Sequence, residues 1–287
     1  VARATNITGG KATLIMYTAV ILTLNEEHDV AECIESLHTD DIIVVDSFST
    51  DATCAIAREH GARVIQNQFY DYASQRNFAL QETDPKYPWI FMLDADERAT
   101  PSLDIEIRNT LSSVNSTTTL YRLRRKDMLM GRWLRHSSGY PTWFGRLLRK
   151  DRCSFIREIN EEATTSGLVG YLNEHIVHYP FSKGISRWLD RHNSYSTAEA
   201  SQVHYSRERR LYPIRQLLSK DPAHRRRVAK FYVYRLRHFR PLIIFLYLYI
   251  LRGGFLDGIP GIRFATLRLI YEYMIDLKIS ELREDTC

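Results

Sequence analysis

The apolar positions of the first hundred residues come in short unbroken runs: YTAVILTL at 17–24, Ile42-Ile43-Val44-Val45, Ala62–Ile65 and Trp89-Ile90-Phe91-Met92-Leu93. Runs of this length between turn signals mark strands buried on both faces, since a half-exposed strand would alternate apolar with polar residues. Between the runs the period changes. Asn25-Glu26-Glu27 opens a helix in which Val30, Cys33, Ile34 and Leu37 recur at i, i+3, i+4 and i+7. Ala52–His60, stopped by Gly61, and Tyr72–Glu82 read as two further helices. Alternating strands and helices predict an α/β fold with a parallel sheet covered on both sides.

The polar residues that end these runs are unusual. Asp46 closes the second run, and the fourth stops at Asp94-Ala95-Asp96-Glu97. Open α/β sheets bind ligands at the carboxyl ends of their strands, so these carboxylates fall where chemistry is expected. In extended backbone Asp94 and Asp96 would share one face, and their repulsion is relieved by a proton or a cation. Mg²⁺ accepts one or two carboxylates and completes its octahedron with water and substrate phosphates. Neither G-x-G-x-x-G nor G-x-x-x-x-G-K-[ST] occurs in this stretch, so a glycine-rich phosphate cradle is not the binding device. A nucleotide whose diphosphate is held through a metal fits better, with Asp46 available to a base or ribose. The plainer alternative for Asp46 is a charge that favours the following helix N-terminus.

LTLNEE, IIVVDSFSTDAT, YASQRNFAL and FMLDADE, in this order over residues 22–97, resemble the successive motifs of family 2 glycosyltransferases. That resemblance implies a GT-A fold, a Rossmann-like nucleotide-sugar-binding sheet, an inverting mechanism and an Asp-x-Asp site for Mg²⁺ or Mn²⁺. Further stretches, GRWLRHSSGYPTWFGRLLRK, INEE, HNSYSTAEA and GFLDGIPGIRFATL, are similar to the lipopolysaccharide-core glucosyltransferase group. On these matches Thr23, Asn25 and Glu27 would line the base and ribose pocket, and Asp46 would contact uracil or ribose. Gln75, Arg76 and Asn77 would border the nucleotide. Asp94 and Asp96 would form the metal motif, with Asp96 the direct ligand. Many family members have Asp-Asp-Gly-Ser where this chain has Asp46-Ser47-Phe48-Ser49, so a bulky residue replaces a small one.

Tyr121–Lys126 and Arg146–Arg149 read as arginine-decorated strands, with arginines between 122 and 149 expected to face acceptor phosphates. Gly131-Arg132-Trp133-Leu134-Arg135-His136 mixes aromatic and basic groups as a sugar or phosphate pocket does. An inverting transferase needs one base for the acceptor hydroxyl. The resemblance aligns Glu161, in Ile159-Asn160-Glu161, with the family's base, although Asn160 stands where relatives often have His. His175 and His178 lie in an alternating, strand-like segment that puts them on opposite faces, and His178 is a possible third metal ligand or a buried histidine serving another role.

Composition enters at the rear. Residues 201–287 hold 17 Lys and Arg against 8 Asp and Glu, although the whole chain is only +5, so the front is net acidic. Arg225-Arg226-Arg227, Lys230, Arg235, Arg237 and Arg240 lead into LIIFLYLYIL, and Phe264–Leu277 reads as a second amphipathic helix. Ten apolar residues are too few for the ~20 needed to cross a bilayer but suit its interface, where cations attract anionic lipid. A buried helical hairpin is the alternative. Nucleic acid is a poor partner, because no binding motif accompanies the basic stretch. The four cysteines show no paired spacing and residues 1–16 no signal-peptide layout, which predicts a reducing setting.

The expected protein is therefore a GT-A catalytic domain over 1–185 with a helical, membrane-associating region over 186–287. It would be peripheral on the cytoplasmic face of a bacterial inner membrane, moving sugar from a nucleotide-sugar, UDP-linked by preference, to a lipid-linked or lipopolysaccharide acceptor. Alternatives are transfer onto polyprenyl phosphate, where a base is unnecessary, and a non-catalytic nucleotide-sugar-binding subunit.

Overall fold

The computed structural model describes residues 16–113, 117–156, 162–206, 213–218, 228, 232 and 236–284. The chain divides into two compact units, Val1–Arg125 with Trp143–Val177, and Lys126–Thr142 with His178–Cys287. The second unit thus begins near the expected boundary but also takes 126–142. That stretch is an excursion between two strands of the first unit's sheet, which a linear division of the chain does not reveal.

In the first unit β1 (Thr18–Thr23), β2 (Ile42–Asp46), β3 (Arg63–Gln66) and β4 (Trp89–Asp94) alternate with α1 (Val30–Glu35), α2 (Thr53–Glu59) and α3 (Tyr72–Gln81). These strands lie parallel in the order β3-β2-β1-β4. Next come β5 (Glu97–Ala99), α4 (Pro101–Ser113), β6 (Thr118–Leu129), β7 (Arg132–Trp133) and β8 (Trp143–Arg149). β9 (Cys153–Ile156), β10 (Glu162–Thr165) and β11 (Leu168–His178) follow. β8 joins the sheet antiparallel to β4, and β6 lies antiparallel to β8. β9 and β10 form a separate antiparallel pair.

The unbroken apolar runs are explained by the two cores they serve. Tyr17, just before β1, and Ala19 and Ile21 on it pack with Val30, Cys33 and Ile34 of α1 and Leu103 and Ile107 of α4. Val20 turns to the other face with Ile43, Val45, Ile90 and Met92, against Ala73, Ala79 and Leu80 of α3. Each successive side chain is buried, but on alternate sides. The same period carries polar residues beyond the runs: Asp94 follows Ile90 and Met92 toward α3, and Arg146 follows Leu148. Register brings the strand ends level, with Thr23 opposite Asp46, Asp46 opposite Gln66 and Leu22 opposite Asp94.

In the second unit α5 (Gly184–Ser206) packs on a long terminal helix through Ala200, Tyr271, Ile275 and Ile279. The apolar run becomes α6 (Arg240–Leu246), continued by a π turn at Tyr247–Leu251 and a 3₁₀ turn at Gly254–Asp257, before α7 (Ile259–Glu284). Arg240 departs from expectation. It is buried against Glu272, 3.1 Å from Oε2, and donates to the Glu272 carbonyl at 2.7 Å, so its charge is spent inside the protein. Arg225, Arg226, Arg227, Lys230 and Arg235 lie outside the described residues. No described helix is long and apolar enough to cross a membrane.

Candidate active site at the strand ends

The loops after β1 and β2 are laced together. The Thr23 hydroxyl donates to Asp46 Oδ1 at 2.9 Å, and the Asn25 amide nitrogen of the backbone donates to Ser49 Oγ at 2.8 Å. Asn25 Oδ1 accepts from Thr50 N at 2.8 Å, Thr53 Oγ1 accepts from Glu26 N at 2.7 Å, and Glu27 Oε2 accepts from Ala52 N at 3.1 Å. Thr23, Asn25, Glu27 and Asp46 are thereby brought together as expected, but these groups bond one another across the two loops. Asp46 is buried, and also accepts from Ser49 N at 2.8 Å and Gln66 Nε2 at 3.3 Å. Burial alone would raise its pKa; bonds from Ser49 and Gln66 outweigh that and hold the carboxyl below its ordinary range.

The lacing needs a sharp turn, and its backbone explains the substituted motif. Phe48 has φ 60° and Asn25 φ 56°. This left-handed region suits glycine, the residue that the family resemblance leads one to expect at position 48, and penalises a bulky side chain. The Phe48 ring is 51% exposed, so little burial offsets that strain.

Beside the laced loops lies a buried ion network. Asp94 Oδ1 accepts from Arg76 Nη2 at 2.7 Å, and Asp94 Oδ2 from Arg146 Nη2 at 2.7 Å. Arg146 also bonds Glu97 Oε1 at 2.8 Å; Arg125 approaches the same oxygen at 3.4 Å, and Glu97 Oε2 accepts from Asp94 N at 3.0 Å. Burial raises the Asp94 pKa, but the guanidiniums of Arg146 and Arg76 overcome it and hold the carboxyl well below the usual carboxylate range. Asp96 does not extend the strand. Ala95 and Asp96 form a turn between β4 and β5, so the shared face expected from an extended backbone does not exist.

The other expected residues have separate duties. Gln75 accepts from Asn67 Nδ2 at 2.8 Å and donates to Ser47 Oγ at 3.1 Å, tying α3 to the ends of β2 and β3. Asn77 turns away from this lattice. Its amide donates to the Phe155 carbonyl at 2.9 Å and accepts from Phe155 N at 2.7 Å, clamping the β9–β10 pair. That pair is joined by 157–161, so Glu161 lies outside the described residues. Five of the seven arginines of 122–149 are also committed. Arg122 approaches Glu162 at 3.7 Å, Arg124 donates to the Asn173 carbonyl, Arg149 approaches Asp151 at 3.3 Å, and Arg125 and Arg146 serve Glu97. These partners are carboxylates or backbone of the same unit.

His178 lies on β11 as expected of a strand, in the second unit, with Nδ1 2.7 Å from Asp127 Oδ1. A carboxylate there fixes the ring's orientation and tautomer. Among the described residues no three His, Cys, Asp or Glu side chains gather into a metal cage. Of the expected trio, Asp94 accepts from an arginine at each oxygen, and His178 belongs to the second unit. Carboxylate oxygens at these strand ends are the donor type that a hard cation such as Mg²⁺ or Mn²⁺ accepts. Sequence reasoning noticed Arg146 and Glu97 but missed their role. Arg146 among apolar strand neighbours was the available signal, since a charge buried there requires a partner.

A parallel sheet with carboxylates at its strand ends, extended by antiparallel strands, is a mixed α/β, Rossmann-like architecture of GT-A type. The chain belongs to glycosyl transferase family 2, whose family model matches residues 18–171. It is 28% identical over 271 residues to the lipopolysaccharide core biosynthesis glycosyltransferase LpsC of Rhizobium meliloti, covering 91% of each chain. An uncharacterized glycosyltransferase of Rickettsia conorii is 32% identical over 205 residues, 65% of this chain and 70% of that protein. Among solved structures, glucosyl-3-phosphoglycerate synthase from Mycobacterium tuberculosis, in complex with Mn²⁺, UDP and glucosyl-3-phosphoglycerate, is 22% identical with a TM-score of 0.33. That match covers 41% of this chain and spans less than half, 46%, of the synthase.

Proposed function

We propose that this protein transfers a sugar from a nucleotide-sugar, UDP-linked by preference, to a hydroxyl of a lipopolysaccharide-type or other lipid-linked acceptor at the cytoplasmic membrane face, with inversion. The observation that carries the reading is the strand-end lattice, in which Arg76 and Arg146 bracket Asp94 while Asp96 occupies the adjoining turn. The likeness to the Rhizobium core-biosynthesis enzyme supports the acceptor class. A bound Mg²⁺ or Mn²⁺ would supply charge neutralisation for the departing diphosphate. Asp96 would hold it, and Asp94, fixed by two guanidiniums, would set the turn on which Asp96 sits. Asp46 and the laced loops would present the base and ribose subsite. Glu161, which precedes β10 in sequence, would take the acceptor proton, and Asn77 anchors the neighbouring β9. The exposed apolar side chains of α6 and the following turns support a peripheral membrane position.

Calorimetry with UDP, with and without Mn²⁺, tests the reading on wild type and Asp96→Asn. UDP binding should strengthen with Mn²⁺ in the wild type and lose that dependence in the variant, without loss of fold. Metal-independent UDP binding in both proteins, or no binding of UDP, GDP or dTDP, contradicts it.

A further inference from the structure

Within the second unit, a cleft of about 410 Å³ is lined by Arg135, His136, Tyr140, Leu251 and Arg252. None of these residues belongs to the strand-end site, and none of the described residues lining the cleft is acidic. Two arginines, a histidine and a tyrosine line one space, a residue set suited to an oxyanion receptor.

The walls are built rather than merely exposed. Buried Asp257 braces one side, accepting from His136 N at 3.0 Å and from Ser137 N and Oγ, each at 2.8 Å. Those three bonds supply its carboxylate with backbone and hydroxyl donors. Arg252 donates to the Tyr140 carbonyl, joining the other side. Arg135 lies over the Trp133 ring at 5.6 Å, and Trp133 meets Tyr140 edge-on at 5.0 Å, which limits the wandering of the Arg135 head. The start of α7 sits tight against the 3₁₀ turn: a Cβ on Gly261 would stand 2.1 Å from the Gly254 carbonyl oxygen.

The one apolar residue among those lining the cleft, Leu251, stands in an exposed apolar stretch of the chain. Leu251 is 79% exposed, and Tyr247, Ile250, Phe255, Leu256 and Ile259 around it in sequence are exposed as well. Exposed apolar side chains beside paired cations match a molecule whose anion sits at a lipid surface. A soluble anion would gain nothing from the exposed Leu251.

We propose that this cleft is a phosphate subsite for a membrane-embedded glycolipid. Arg135 and Arg252 take the phosphate oxygens, His136 and Tyr140 border the attached sugar, and Leu251 faces the lipid. The assignment deepens the acceptor reading above and rests on it.

The test uses the full chain and the double substitution R135K/R252K, which keeps the charge and removes both guanidinium forks. Binding is measured to phosphatidylcholine vesicles containing phosphatidic acid and, at matched surface charge, to vesicles containing oleate. The wild type should prefer phosphate-bearing vesicles about tenfold, and the variant should lose that preference while binding oleate vesicles as before. Because Arg252 also supports the Tyr140 loop, Arg135→Lys alone is the second variant and should lose a substantial part of the preference. A preference kept by both variants, or absent from the wild type, overturns the proposal. So does calorimetric binding of inorganic phosphate at this cleft without any vesicle preference, which would mark a soluble phosphate ligand. UDP affinity, measured in parallel, should be equal in all three proteins. Its absence throughout would remove the transferase reading while leaving the vesicle result to be judged by itself.

Discussion

Replacing Arg146 by methionine removes the cation shared by Asp94 and Glu97 while keeping most of the side-chain volume. Arg146 is buried, with bonds of 2.7 Å to Asp94 and 2.8 Å to Glu97. Removing one partner of a buried pair costs about 3–5 kcal/mol when the remaining charge is left uncompensated. Here Asp94 keeps Arg76 at 2.7 Å and fully buried Glu97 keeps Arg125 at 3.4 Å. The expected loss is therefore about 2–4 kcal/mol. Urea unfolding at pH 7 measures it. The pH dependence gives a second check: a carboxyl held low in the folded state contributes stability above its unfolded pKa, and loses it as pH falls through the folded value. Arg146→Met takes away one of the two guanidiniums that hold Asp94 low, so its carboxyl should protonate at higher pH than in the wild type. Neutral carboxyls need arginine less, so the gap between the two proteins should narrow on acidification. A loss under about 1 kcal/mol at pH 7, or a gap that does not change with pH, would refute the network as a structural element of the site.

Three further outcomes follow from named residues. Phe48→Gly should stabilise the protein by about 0.5–1 kcal/mol in urea unfolding, because relief of left-handed strain exceeds glycine's added unfolded-state entropy; Phe48→Ala, which retains Cβ, should not. Glu161→Gln should keep UDP and metal affinity yet slow transfer by about 10²–10⁴-fold if it is the base; unchanged transfer would favour an already ionised polyprenyl phosphate acceptor. His192, stacked on Trp188 at 3.5 Å, has its pKa pushed down to about 4 by burial. Its unfolded form binds a proton near pH 6.5, so stability should fall by about 1–3 kcal/mol between pH 6.5 and 4, a slope that His192→Phe should remove.

The parallel sheet was legible because β1, β2 and β4 are buried on both faces and leave unbroken apolar runs. Asp46 and Asp94 were legible because they end those runs. What was not legible depends on residues far apart in sequence. Arg146 finds Asp94 across a strand pair with a separation of 52 residues, and Asn77 finds Phe155 across 78. No local period records such meetings. The reading of Asp94 and Asp96 on one face failed because it extended strand geometry through what is a turn. Arg240 sat in a basic run and was taken with it, but Glu272, 32 residues later, draws it inward. Phe48 shows the reverse case, in which a motif departure visible in sequence became interpretable once its φ was known.

Proton NMR of acceptor-independent donor hydrolysis tests the central claim most directly. Incubated with Mn²⁺ and each of a panel of α-linked UDP-sugars, the protein should release UDP from at least one, and the free sugar should first appear as the β-anomer before mutarotation mixes the two. First appearance of the α-anomer would contradict inversion. Failure to release UDP from any donor, with the fold intact, would contradict the assignment of the strand-end lattice as a transferase site.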